Sequence, residues 1–578
     1  MRKKKITALL AVMLCLAMIL TACGTAKKTD DTARTGAAET AETADTAQTD
    51  ATATPEAPEV IADGDTRDVT GQSADAEIVL SGGEGTLSDT TRGSSGSTVT
   101  ITAKGVYHVT GSSDGVQILI QDDSESGNVY LILDNVSMTN DGACINVQAA
   151  DKVILQCVGD STLTTTASAD ADGVDGAVYA RDDLTVNGEG SLTVTSGMHG
   201  IVCKDDLTVT GSALTVNAAA IGIQAGDSVT VADGAVTVTA GHDGIQVKND
   251  VGDSFVYLAG GTLTVDAGYD GIDVGTEGAT FTGYILMEGG EANITAGGGS
   301  DNAKDSGTSQ KGIKCDGAVT VTGGTLTVSA ADDAIHSDGA VTVTGGVITA
   351  SSSDDGIHAY DTLTITGGTV TVTKAYEGLE AATVDIQGGE ISVTASDDGI
   401  NAAGGSDSAS DESPWGGSAG GTLTVSGGSL YVNAGGDGLD SNGSIYITGG
   451  LTVVEGPTNG GNGALDKGDG ADCVLSVTGG TVLALGTADM AMNFDDGTQC
   501  AALVALSGSA GDTVTVDDGS GFTFTATKSF ACAVYTSPSL SQGSTYTITA
   551  GADSAVMDFT AGLYYADVTS MGGGPGMR

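Results

Sequence analysis

From Ala318 to Ser329 the chain reads Ala-Val-Thr-Val-Thr-Gly-Gly-Thr-Leu-Thr-Val-Ser. Val319, Val321, Leu326 and Val328 alternate with threonine on either side of a glycine pair. A period of two marks a strand with one buried and one wet face, and β-branched residues suit that surface. The pattern returns down the chain. Gly-Gly pairs begin at Gly323, Gly345, Gly367, Gly388 and Gly427, at steps of 22, 22, 21 and 39 residues. A second marker keeps phase with them. Gly312, Ala334, Gly356, Gly378, Gly399 and Gly438 each precede an aliphatic residue, at steps of 22, 22, 22, 21 and 39. No unit is patterned for a helix. Three short strands and glycine corners in about 22 residues predict one turn of a solenoid whose turns stack about 4.8 Å apart. The expected fold is all-β, a right-handed parallel β-helix solenoid.

The same phase extends upstream. Ala177, Gly200, Gly222, Gly244 and Gly271 precede aliphatic residues at steps of 23, 22, 22 and 27. The solenoid is expected over 74–480, with longer excursions near 297–310 and 402–420. Beyond it, strand-like runs such as Thr513 to Val516 and Tyr546 to Ile548 lose phase. Residues 481–570 therefore read as terminal coils and a small irregular β cap, since a solenoid end must be covered. Residues 571–578 are a Gly-rich tail.

The start of the chain is different. Met1-Arg-Lys-Lys-Lys5 and the apolar run Ile6 to Leu20 predict a signal peptide over 1–22, too short to span a bilayer comfortably. Leu20-Thr-Ala-Cys-Gly24 resembles the lipobox of bacterial lipoproteins, which implies cleavage before Cys23 and lipidation there. Residues 23–73, rich in Thr, Ala and acidic side chains, lack the apolar surface to offset chain entropy and read as a disordered tether. The expected mature protein is secreted, lipid-anchored to the outer face of the bacterial cytoplasmic membrane, and touches the membrane through that anchor alone.

Charge narrows the function. With 75 acidic and 21 basic residues the net charge is −54, and nucleic acid is excluded as a partner because phosphate contacts need a basic surface. Ninety glycines, seven Phe and one Trp suit tight corners and a thin aliphatic core. Of nine Cys, seven lie outside the export segment, scattered and without a CxxC pair. They read as small buried residues and not as a disulfide framework or thiolate metal site.

The acidic residues recur with the repeat. Stacked in register, Asp333, Asp355, Glu377, Asp398 and Asp437 form one file. Asp332, Asp354 and Asp397 form a second, and His336, His358, Glu380, Asn401 and Asp440, extended by Asp466, a third. Asp beside Gly is ordinary turn chemistry, but carboxylates about 5 Å apart repel and call for a counter-charge. An all-oxygen cage suits Ca2+. The expected ligands are Asp354, Asp355, Glu377, Glu380, Asp397, Asp398, Asn401, Asp437, Asp440 and Asp466, with Asp270 and Asp273 as a separate, secondary site. His336 and His358 read as solvated side chains of a polar ladder. Trp415, on the second excursion, is either a plate for a sugar ring or a loop anchor.

These motifs together resemble a known family. They are the DDGIH and DDGIN corners at 354–358 and 397–401, the Val-Tyr-Leu-Ile-Leu-Asp-Asn-Val-Ser run at 129–137, the Gly456-Pro-Thr…Gly463-Ala-Leu-Asp466 element, and Tyr546-Thr-Ile. The likeness, over about 75–560, is to the calcium-dependent carbohydrate-binding β-helix family of clostridial cell surfaces. That family is similar in fold to β-helix pectate lyases. The resemblance implies binding of plant-type or acidic polysaccharide, of the cellulose and polygalacturonate class, with calcium in the coil. The lyases' Asp-Asp-Gly-x-Asp motif is never complete here, and only Lys467 and Lys314 stand as weak candidates for a catalytic base. A non-catalytic polysaccharide-binding lipoprotein is therefore the leading expectation. The alternatives are a calcium-dependent pectate-type lyase and an adhesive or structural solenoid.

Overall fold

The computed structural model describes residues 58, 61–62, 64–124, 126–166, 174–249, 254–275, 283–403 and 420–568. Cys23 and Trp415 lie outside them. Of two compact units, Met1–Thr52 is wholly outside the described residues, and Ala53–Arg578 holds everything that follows. The described residues are all-β, with no helix among them.

Each repeat contributes three strands, as in Ile335–Ser337, Ala340–Val343 and Val347–Ser352. Each strand pairs in parallel with its counterparts one repeat before and one after. In the first ladder Ile313 faces Ile335, then Ile357, Leu379, Ile400, Leu439 and Leu465. In the second, Val319 faces Val341, Leu363, Val384, Leu423 and Ile445. These side chains point inward and are almost fully buried, so a one-residue slip would turn a whole row of aliphatics to water. Between the second and third strands the second glycine of each pair takes positive φ, 77° at Gly324 and 91° at Gly389. A side chain is strained there, which accounts for the recurring pair.

The two ends depart from the regular pattern. At the first, Ala76–Gly82 pairs antiparallel with Glu84–Leu87, and Gly93–Ser94 with Thr98–Ile101. Ordered packing begins earlier than the expected boundary at residue 74. Val69 is fully buried against Val106, Tyr130, Ile132 and Ile154, and buried Asp65 meets Lys152 at 2.9 Å. A disordered tether through residue 73 is thus corrected: one valine and one paired aspartate hold the segment down despite its polar composition. At the far end, Thr513–Val516, Thr523–Thr525, Thr545–Ala550 and Asp553–Asp558 form a separate antiparallel sheet with its own core around Tyr535, Met557 and Phe559. The seven described cysteines are unbonded, and all but Cys473 are buried.

Candidate functional site

The register of the first ladder lines up the residues flanking its aliphatic positions. Two residues before lie Asp243, Asp270, Lys311, Asp333, Asp355, Glu377, Asp398 and Asp437. One residue after lie Gln246, Asp273, Lys314, His336, His358, Glu380, Asn401, Asp440 and Asp466. Asp270 and Asp273 stand in the same two files, cut off from the later acids by the layer of Lys311 and Lys314.

One oxygen of many of these carboxylates is committed to the backbone. The N–H of Asp270 donates to Asp243 Oδ1 at 3.2 Å, and that of Lys311 to Asp270 Oδ1 at 2.8 Å. The N–H of Asp355 donates to Asp333 Oδ1 at 3.1 Å, and that of Asp437 to Asp398 Oδ1 at 2.6 Å. Each side chain thus satisfies a corner amide of the next layer, which would otherwise be buried without a partner. Spacing alone did not reveal this role.

The earlier half of the files is neutralised by the chain's own cations. Lys304 reaches Asp332 at 2.8 Å and Asp354 at 2.7 Å, and Lys311 pairs with Asp333. His336 Nδ1 lies 2.9 Å from Asp333 and its Nε2 3.0 Å from Asp338. His358 Nδ1 lies 3.2 Å from Asp355 and 2.9 Å from Glu380. The two imidazoles stack at 4.7 Å and are 4% and 2% exposed, so the expectation of solvated histidines is corrected. Both are buried with carboxylates on their ring nitrogens. Burial disfavours charge on both rings, but Asp333 and Asp338 outweigh it at His336, and Asp355 and Glu380 raise His358 to about 11. Burial likewise works to raise Asp333, but His336 and Lys311 hold it well below the usual carboxylate range.

A histidine raised in this way stabilises the fold fully below its unfolded pKa of about 6.5, and the contribution fades only as pH climbs toward the folded value. His358 should accordingly keep imidazolium chemical shifts from pH 5 to pH 9. A side-chain NMR titration with a midpoint between 6 and 7 would contradict the pairing. Replacing His358 with Gln strands the buried Asp355 and the half-buried Glu380 and should cost about 3 kcal/mol, measured by denaturant unfolding.

The later half has no such compensation. Among the described residues no Lys, Arg or His pairs with Glu377, Asp397, Asp398, Asp437 or Asp440. Burial, reinforced by neighbouring carboxylates, pushes Glu377 and Asp440 up to about 8, Asp437 to about 7 and Asp398 to about 6. Asn401 Nδ2 donates to Glu377 Oε2 at 2.7 Å, while Asn401 Oδ1 is buried with no hydrogen-bond partner. An orphaned amide oxygen among half-buried, mutually repelling carboxylates is a donor set of the kind hard divalent cations take.

The closest groupings of ligand atoms, within 4.8 Å of one another, lie one or two layers earlier. They are Asp333–His336–His358, Asp355–His358–Glu380 and Asp332–Asp333–Asp354. All three already contain or touch a lysine or histidine. A fourth, Asp183–Asp205–Asp206, was not anticipated. Burial first, then Asp227, raises Asp205 to about 7. Its signal was present in the sequence: Asp182-Asp183 and Asp205-Asp206 recur at the repeat spacing.

Both candidate bases are engaged by neighbouring groups. Lys314 lies 3.4 Å from Asp273 and 4.0 Å from Asp270. Burial would lower its pKa, but these carboxylates outweigh it and the net shift is upward, opposite to a general base's need. Lys467 donates to the Cys473 carbonyl at 3.0 Å and faces Asp495 at 3.6 Å.

Comparison with known proteins places this geometry in context. The family model of carbohydrate-binding domain-containing proteins matches residues 95–356 and 353–520, well over half of the chain. A carbohydrate-binding domain-containing protein of Acetivibrio thermocellus is 33% identical over 122 residues, which are 20% of this chain and 42% of that relative. The chain thus spans less than half the length of that relative. Among solved structures, the gadolinium derivative of the polysaccharide lyase-like protein from C. thermocellum is 28% identical. It covers 37% of this chain and 95% of its own, with a TM-score of 0.33.

Proposed function

The chain belongs to the family of carbohydrate-binding domain-containing proteins, and on that premise we propose that it binds plant-type or acidic polysaccharide without cleaving it. The family match carries the carbohydrate. In this reading the three parallel ladders wind as a right-handed β-helix, and calcium occupies the later part of the acidic files. Glu377, Glu380, Asn401 and Asp440 are its expected oxygen donors, with Asp398, Asp437 and Asp466 nearby. The unpaired charge of Glu377, Asp398, Asp437 and Asp440 and the orphaned Asn401 oxygen support a cation there, with Glu380 shared with His358. What it supplies is charge: it replaces the protons that the buried acids otherwise hold.

The state of the two lysines supports the non-catalytic half of the proposal, since one is an ion-paired cation and the other is engaged by a carbonyl. Anchoring through a lipid on Cys23 outside the cytoplasmic membrane rests on the Leu20–Gly24 motif, and loss of detergent-phase partitioning in Cys23→Ser tests it. For the carbohydrate, the protein should sediment with insoluble polygalacturonate in calcium and be released by EDTA. No absorbance from unsaturated sugar should develop on incubation with the soluble polymer. Steady growth of that absorbance would establish a lyase, and failure to sediment with or without calcium would favour an adhesive role toward protein partners.

A further inference from the structure

In a chain of net charge −54, two of its 21 cations converge on one cleft. The cleft, about 380 Å3, lies near the first described residues, between the segment that crosses residues 64–74 and the strands beneath it. Arg67, Lys104, Asn128 and Tyr130 line it, with Val69 and Val106. The crossing segment is fastened on both sides of Arg67. Asp65 accepts from Lys152 at 2.9 Å and Thr185 at 2.6 Å, and the Val69 N–H donates to Gln156 Oε1 at 3.0 Å. Arg67 is thereby held with its guanidinium carbon 5.9 Å from the centroid of the Tyr130 ring. Its hydrogen-bond partner, Gln72 Oε1, is distant at 3.4 Å.

The other cations of this end are engaged with acids: Arg92 with Asp75 and Asp89, Lys152 with Asp65 and Asp183. Arg67 and Lys104 are in no ion pair among the described residues. Two carboxylates that bond to residues of its wall are themselves occupied. Asp75 accepts from the Val106 N–H and from Arg92, and Asp151 accepts from the Gly127 N–H. Room is kept by glycine: a Cβ on Gly127, at φ 89°, would come within 2.8 Å of Lys104 Cδ.

A planar guanidinium fork, a second ammonium, an amide and an apolar floor are the complement of one class of ligand. We infer that this cleft binds the carboxylate of a uronic-acid residue of the glycan, with Arg67 and Lys104 on the carboxylate, Asn128 on a ring hydroxyl, and Tyr130 beneath the ring. The inference rests on the carbohydrate-binding reading but not on calcium, because the cations here are the protein's own. The acidic files repel a uronate unless a metal intervenes, whereas this cleft attracts it directly.

The test uses the full chain in EDTA, with digalacturonate as the probe, followed by calorimetry or saturation-transfer NMR. Saturable binding is expected, weakening as salt is raised. It should fall at least about tenfold for digalactose, for inorganic phosphate and for the double variant Arg67→Gln/Lys104→Gln. Both substituted side chains are exposed, so the variant's melting curve should match that of the parent. No binding in EDTA, binding of digalactose or phosphate as tight as digalacturonate, or an unaffected double variant would each overturn the assignment. The polymer sedimentation assay in calcium separates the two levels. Retention on the polymer without digalacturonate binding removes this cleft alone, and loss of both removes the carbohydrate reading as well.

Discussion

Stripped of divalent ions, the protein should lose thermal stability steadily as pH rises from 5 to 8.5, and calcium should restore it. Glu377 and Asp440 are raised to about 8, Asp437 to about 7 and Asp398 to about 6, chiefly by burial. Unfolded carboxyls titrate near 4, so between pH 4 and pH 8 the folded chain holds more protons than the unfolded one. Stability from these groups is therefore complete below about pH 4 and is lost as pH climbs through the folded values. A cation competes with those protons, so its stabilisation grows with pH. At a hundredfold excess over its dissociation constant it adds about 2.7 kcal/mol. Scanning calorimetry in EDTA and in millimolar calcium at pH 5 and pH 8.5 measures the effect. Glu377→Gln with Asp440→Asn should raise the metal-free melting temperature at pH 8.5 and abolish the calcium increment. A melting temperature indifferent to both pH and EDTA would refute the charge argument.

The second large effect concerns packing. Substituting Gly378 with Ala should cost about 2 kcal/mol, and pairing it with Val393→Ala should recover part of that. A Cβ at Gly378 would overlap Cγ1 of Val393 and press on the Gly399 carbonyl oxygen, so relief at the valine is only partial; one at Gly312 would overlap Val328, at Gly399 Val432 and at Gly438 Val454. Two of the three alanines at this position compensate from the other side: at Ala334 and Ala464 the valine position of the third ladder holds Ala350 and Ala484, whereas Ala177 keeps Val194. Volume moved from one wall to the other keeps the interior filled. Val393→Ala alone leaves a cavity and should also cost about 2 kcal/mol. The double variant should be more stable than the sum of the two losses implies, by at least about 1 kcal/mol. Additive losses in a denaturant double-mutant cycle would show that the two positions do not share a void.

Both effects depend on a stacking order that the chain advertises. Apolar alternation around each glycine pair identified the strands, and the 21- and 22-residue steps identified which residues share a file. Asp355, Glu377, Asp398 and Asp437 stand in line because a ladder with one buried face has a single register that keeps its aliphatics inside. Positions that break the period, such as the crossing segment around Val69, read as disordered by composition alone, because they are polar and their partners are distant in sequence.

The sequence by itself determined the all-β character, the repeat and the membership of the acidic files, because these follow from local periodicity, and periodicity is written residue by residue. Only the tertiary structure decided which of those acids are already neutralised. Lys304 reaches Asp354 across 50 residues from an excursion that obeys no period, and His336 and His358 gain their carboxylate partners only once the chain has folded. Charge compensation is a sum over neighbours in space, so no spacing along the chain could reveal that Asp333 is satisfied while Glu377 and Asp440 are left to find their positive charge elsewhere.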